Sequence, residues 1–318
     1  MPSYAYYLIV LIPLVLVLIS LFIYQGIRYT DLFFSYKHNP DEKKRKPLHS
    51  PDHTQVLFYD KKWFASLPFE EKNIVSYDGL KLHGYYYKNP KNPDKLVISV
   101  HGYRGTYLEL SEQDRFFQEQ LGYSILMIDQ RAQGHSEGKY ITFGDKERHD
   151  VLSWCNAMAK ENPEVQIVLL GFSMGAATVL MSMSLNLPEN VKCIIADSSY
   201  TSTKEEINYV GKSKYKKGYI SIGLATRVFA SLRCHFSYTR STPVKSIASN
   251  TRFPVLLIQG EEDTYVPFSM GKELLKAANK QAYVDYFSVK GAWHGMSFQV
   301  NPSYYQQQVA SFVRKFIK

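Results

Sequence analysis

The sequence predicts an α/β protein: a mostly parallel eight-stranded sheet with helices on both faces, preceded by one N-terminal transmembrane helix. Three observations lead there. Strand-like apolar runs alternate with helical patterns from about Asn73 onward, the pentapeptide Gly171-Phe172-Ser173-Met174-Gly175 joins one such strand to one such helix, and Ala5 to Tyr24 carries no charge. At 318 residues, with 45% hydrophobic and 21% charged residues, the chain can bury the core of one large domain.

The run Ala5 to Tyr24 is rich in Leu, Ile and Val. About 20 such residues cross the roughly 30 Å hydrocarbon core of a bilayer as a helix. A cleaved signal peptide is the competing reading, but the run is long, no Lys or Arg precedes it and no Ala-x-Ala follows it, so an uncleaved anchor is expected. Arg28, Lys37, Lys43, Lys44, Arg45 and Lys46 all follow the span, and the positive-inside rule then places the domain in the cytoplasm. Residues 25–53, polar and basic with Pro40, Pro47 and Pro51, read as a tether whose cations are solvated or touch anionic headgroups. Residues 54–318 form the folded domain.

Within it, Asn73 to Tyr77 and Lys81 to Tyr87, joined at Asp78-Gly79, form a β-hairpin. Buried strands follow at Leu96 to Val100, Ser124 to Ile128, Gln166 to Leu170, Val191 to Ala196, Pro254 to Gln259 and Tyr283 to Val289. Helices are expected at Glu147 to Lys160, Met174 to Leu185, Ser269 to Asn279 and Tyr304 to Ile317. Such alternation builds a parallel sheet covered on both faces, which binds ligands at the carboxyl ends of its strands. From Ser199 to Ser249 the rhythm breaks, and the segment is rich in Tyr and Phe, with Lys212, Lys214, Lys216, Lys217, Arg227, Arg233 and Arg240.

Ser173 lies in the strand, sharp turn and helix context that a nucleophile elbow requires. A serine hydroxyl needs a base to take its proton, and among nine histidines His294, just after the last strand, is the one whose loop can reach back to it. His38, His49 and His53 lie in the tether, His83 in the hairpin, His149 in a helix and His235 in the aromatic segment. His101 and His135 sit in loops after earlier strands, where a histidine usually holds the loop. Asp263, after the penultimate strand, is the candidate to orient His294, with Glu261, Glu262 and Asp197 as alternatives. The backbone N–H groups of Met174 and of Tyr103, in the loop His101-Gly102-Tyr103-Arg104-Gly105, are the expected oxyanion donors.

From about Val75 onward the chain resembles the α/β-hydrolase superfamily, and within it a bacterial membrane-anchored group of serine aminopeptidase-like hydrolases. The resemblance rests on the His101 to Gly105 loop, on Asp129 to Gly138, on the elbow and on the Asp263 and His294 segments. It implies the α/β-hydrolase fold and a cap at about 199–249. It also implies structural roles for Asp129, Arg131, His135 and Ser136; Gln133 stands where relatives often carry His.

The expected function is that of a serine hydrolase working through an acyl-enzyme, on a carboxylic ester in the first instance, with peptidase, thioesterase or lipase activity as alternatives. A non-catalytic membrane-tethered binding protein is the reading from another class. A small-molecule, lipid or peptide acyl substrate is the expected partner, and the membrane is reached through the N-terminal helix. Cys155, Cys193 and Cys234 lack the number and spacing of a disulfide framework or a zinc site. No phosphate-binding or dinucleotide motif is present, so no metal and no cofactor is expected. The net charge of +9 is ascribed to solubility rather than to a nucleic-acid partner.

Overall fold

The computed structural model describes residues 3–35, 50–52, 54–215 and 219–318. Lys37, His38, Lys43, Lys44, Arg45, Lys46, His49 and His53 of the expected tether, and Lys216 and Lys217 of the expected cap, lie outside the described residues.

A long helix α1 (Ser3–Phe34) is followed by α2 (Lys61–Ser66), the hairpin β1 (Glu70–Val75) and β2 (Lys81–Tyr87), and β3 (Lys95–Val100). Next come α3 (Ser111–Glu119), β4 (Ser124–Ile128), α4 (Glu147–Glu161), β5 (Gln166–Phe172), α5 (Met174–Ser182) and β6 (Val191–Asp197). The chain continues through α6 (Thr203–Tyr215), α7 (Tyr219–Cys234), α8 (Pro243–Ser249), β7 (Val255–Gly260), α9 (Phe268–Ala277), β8 (Val284–Val289), α10 (Ser297–Val300) and α11 (Pro302–Phe316). The eight strands form one sheet in the order β1-β2-β4-β3-β5-β6-β7-β8. The β1/β2 and β2/β4 pairs are antiparallel, and all later pairs are parallel.

The strand runs are apolar at nearly every position because both faces are covered. Val97, Ile125, Val168 and Leu170 face a core shared with Phe116 and Phe117 of α3 and Phe312 of α11. Leu96, Ile98, Leu126 and Leu169 face the opposite core, with Trp154 of α4, Leu180 of α5 and Leu274 of α9. This is the two-residue alternation of a strand applied to a sheet with no wet face. The chain adds β4 on one side of β3 and β5 on the other, so the strand order switches at β3/β5. A crevice opens at such a switch beyond the carboxyl ends of the strands. Val100 and Gly171 pair there.

Two segments depart from expectation. Residues 25–34, read as the start of a tether, continue α1 as helix and dock on the domain. Gly26, Thr30 and Phe34 are buried, and the Phe34 ring sits among Phe143, Phe236 and Tyr238. Composition alone read these residues as solvated, whereas their helical spacing gives them one face to bury. The expected cap also shrinks: α6 and α7 lie over the strand ends, but Ile247 of α8 is fully buried in the core with Val255 and Leu274.

Candidate active site

The turn from β5 to α5 carries Ser173 in a left-handed conformation, with φ 55° and ψ −116°. An L-residue adopts it only when its surroundings impose it, and here it lifts the side chain above the sheet. The Ser173 N–H donates to the Asp197 carbonyl at 2.8 Å, which holds the turn to β6. The glycines on either side are demanded by close approach: a Cβ on Gly175 would lie 1.9 Å from the Val100 carbonyl oxygen, and one on Gly171 would lie 2.4 Å from that of Gly175.

Three side chains form one hydrogen-bonded line. His294 Nε2 lies 2.9 Å from Ser173 Oγ, and His294 Nδ1 lies 2.7 Å from Asp263 Oδ2. Asp263 is held in turn by the N–H groups of Tyr265 and Val266 on Oδ1 and by Gln259 Nε2 on Oδ2. An ionised carboxylate only accepts, so the Nδ1 proton faces Asp263 and Nε2 is left as acceptor for the serine hydroxyl. Burial opposes charge on the imidazole, yet the carboxylates of Asp263, Glu206 and Asp197 outweigh it and raise the His294 pKa above its ordinary 6.5. An imidazole so placed takes up a proton more readily than a free one.

The alternatives to Asp263 point elsewhere. Asp197 is held by Ser198 Oγ and Tyr305 Oη, Glu261 Oε1 accepts from Ser288, and Glu262 is exposed. His101 is bound through Nδ1 to the Gly102 carbonyl and accepts the Gln130 N–H on Nε2, so it holds a loop. In the Asp129 segment, Arg131 pairs with Asp78 and Asp150, Ser136 donates to the Asp129 carbonyl, and the His135 N–H donates to Asp129 Oδ2. None of these contacts involves Ser173, His294 or Asp263.

The loop after β3 lies against the elbow, since a Cβ on Gly102 would be 3.3 Å from Ser173 Cβ. Gly102 N–H is taken by Glu109 and Gly105 N–H by the Gly102 carbonyl, which leaves the Tyr103 N–H without an acceptor among the described residues. Met174 opens α5, and the first N–H groups of a helix have no partner inside it. Two donors therefore flank Ser173.

Above these groups a cavity of about 210 Å³ is lined by Ser173, Met174, Tyr103 and Tyr265, by residues of α6 and α7, and by Leu32 and Phe33 of α1. Sequence reasoning missed several of its parts. Glu206 lines the cavity with Oε2 unpartnered among the described residues, and burial pushes its carboxyl up to about 8. The pair Glu205-Glu206 reads as ordinary first-turn charge on a helix, which hides this. Gln259, which holds Asp263, carries a signal in the sequence as a polar residue near the end of an apolar strand.

Residues 91–235 match the family described as serine aminopeptidase, S33. The chain is 26% identical over 243 residues to the uncharacterized protein YqkD of Bacillus subtilis, covering 76% of this chain and 77% of that one. It is 30% identical over 125 residues to human monoglyceride lipase, covering 37% of this chain and 39% of the lipase. Among solved structures, the Pyrococcus furiosus esterase Pf2001 superposes with a TM-score of 0.66 at 25% identity, over 86% of this chain and 99% of the esterase. Sheet order, elbow and these likenesses converge: the chain is a hydrolase belonging to the α/β-hydrolase superfamily.

Proposed function

We propose that the protein is a membrane-anchored serine hydrolase that cleaves carboxylic esters, with Ser173, His294 and Asp263 as its catalytic residues. The observation that carries this reading is the line from Asp263 through His294 to Ser173 at the floor of a largely apolar cavity. Ser173 Oγ attacks the acyl carbonyl carbon as its proton passes to His294 Nε2, and Asp263 stabilises the imidazolium. The carbonyl oxygen becomes an oxyanion and takes hydrogen bonds from the Tyr103 and Met174 N–H groups. Collapse expels the alkoxide, which receives the proton from His294, and leaves an acyl-serine. Water, deprotonated by the same nitrogen, attacks the acyl-serine, releases the carboxylic acid and restores the hydroxyl.

α1 is long and apolar enough to cross a membrane, and its last turn forms part of the cavity wall. Cleavage as a signal segment would open that wall, which favours a retained anchor. The cations that follow the span favour a cytoplasmic domain. A second reading, release of an N-terminal amino acid, draws on the aminopeptidase family match and on Glu206, whose carboxyl would pair with a substrate amine.

The test uses full-length protein in detergent micelles and a fluorophosphonate probe. Wild type should be labelled at Ser173 and Ser173→Ala should not; an unlabelled wild type beside a reactive control hydrolase removes the assignment. A parallel profile over esters, acyl thioesters and aminoacyl amides separates the two readings, and amide turnover above ester turnover favours the second.

A further inference from the structure

The end of α1 is built into the cavity. Tyr103 Oη donates to the Phe33 carbonyl at 2.8 Å, and Arg104 donates to that of Leu32 at 2.5 Å, so the loop carrying one proposed oxyanion donor clamps the last turn of the apolar helix. The Ile141 N–H donates to the Phe34 carbonyl at 2.8 Å. These contacts satisfy carbonyls that a helix end otherwise leaves open, and Arg104 adds a cation at the negative end of the helix dipole.

α7 lies alongside α1. Phe229 meets Phe22 and Gly26, and Arg233 pairs with Asp31 at 3.0 Å, so contacts advance in the same direction along both helices. The first turns of α7 therefore lie beside the more N-terminal, apolar part of α1. The two sides of α7 differ in their surroundings. Ile222, Gly223 and Thr226 line the cavity. Ile220, Leu224, Val228 and Leu232 recur every fourth residue and are 69%, 48%, 40% and 64% exposed. An apolar stripe open to water is costly, but one continuous with the exposed apolar surface of a membrane helix has lipid as its natural cover.

Resting on the serine hydrolase reading, we propose that α1 and α7 form a lateral portal through which an acyl lipid passes from the bilayer to Ser173, with Leu32 and Phe33 of the membrane helix forming part of the acyl-binding wall. The stripe Ile220, Leu224, Val228 and Leu232 seats the cap on the bilayer, and Ile222, Gly223 and Thr226 of the same helix line the cavity. At about 210 Å³ the cavity is smaller than the roughly 300–1,000 Å³ of usual small-molecule sites, so it takes the ester and the first part of one chain. The remainder of the chain stays against α1 and α7. The substrate class is thus a single-chain acyl ester held in the same membrane.

The experiment uses full-length protein reconstituted in phosphatidylcholine vesicles, with a long single-chain fluorogenic ester in the bilayer and a water-soluble butyrate ester outside. Wild type should turn over both and favour the bilayer-borne ester. Lysines on this stripe remove the apolar surface that lipid covers, so Ile220→Lys with Leu224→Lys should lower turnover of the bilayer-borne ester by about tenfold or more and leave the soluble ester unchanged. Equal effects on both esters, or no preference for the bilayer-borne one in wild type, overturn the portal while Ser173 still reacts with the probe. Loss of probe labelling at Ser173 in wild type overturns the underlying reading and the portal with it.

Discussion

Gly175→Ala tests how closely the site depends on the packing of α5 beneath the loop after β3. The added Cβ would lie 1.9 Å from the Val100 carbonyl oxygen and 2.6 Å from that of His101, whereas real Cβ atoms essentially never approach within 3.0 Å. Both obstacles are backbone, so no side chain can turn aside, and strand end and helix start must separate by more than 1 Å. That movement falls between Tyr103 and Met174, the two proposed oxyanion donors, while the His294–Asp263 pair on the other side of Ser173 is untouched. A displacement of about 1 Å in a reacting constellation costs on the order of 100-fold in rate. Overpacking also costs roughly 1–3 kcal/mol of stability, which leaves a folded protein. Steady-state hydrolysis of a soluble short-chain ester, with thermal unfolding on the same preparation, provides the comparison. Activity within threefold of wild type in a folded variant would refute the argument, because the oxyanion loop would then tolerate a separation that this chemistry does not allow.

Asp263→Asn should lower kcat by about 10⁴-fold with little change in KM, because an amide NH2 placed toward His294 and Gln259 meets donors and favours the wrong imidazole tautomer. Pre-steady-state ester hydrolysis reads it, and a loss below tenfold would point to another orienting group. The pH dependence follows from the sign of the His294 shift: the neutral imidazole is the base, its pKa lies above 6.5, and kcat/KM should therefore fall as pH drops through a value above 6.5. A rate profile with its acid limb below 6 would contradict the carboxylate environment seen around the ring.

The sequence alone determined the alternation of strands and helices, because apolar runs bounded by turn residues are local properties that survive any arrangement of the rest. It also singled out Ser173, whose elbow is a contiguous pentapeptide, and the loops that hold Tyr103, Asp263 and His294. Choosing among Asp197, Glu261, Glu262 and Asp263 depended on the sheet: all four follow strand ends, and only the relation of β6, β7 and β8 decides which carboxylate meets the imidazole and which meets Tyr305 or Ser288. The limit of local reading is clearest in α1. A polar and basic segment after an apolar run looks like a tether, yet helical spacing presents Gly26, Thr30 and Phe34 on one face, and Phe229, Phe143, Phe236 and Tyr238 come from far along the chain to cover it. Tertiary structure decided that the apolar N-terminal helix ends inside the cavity wall, because the free energy of burying that face comes from partners that only the folded chain brings together.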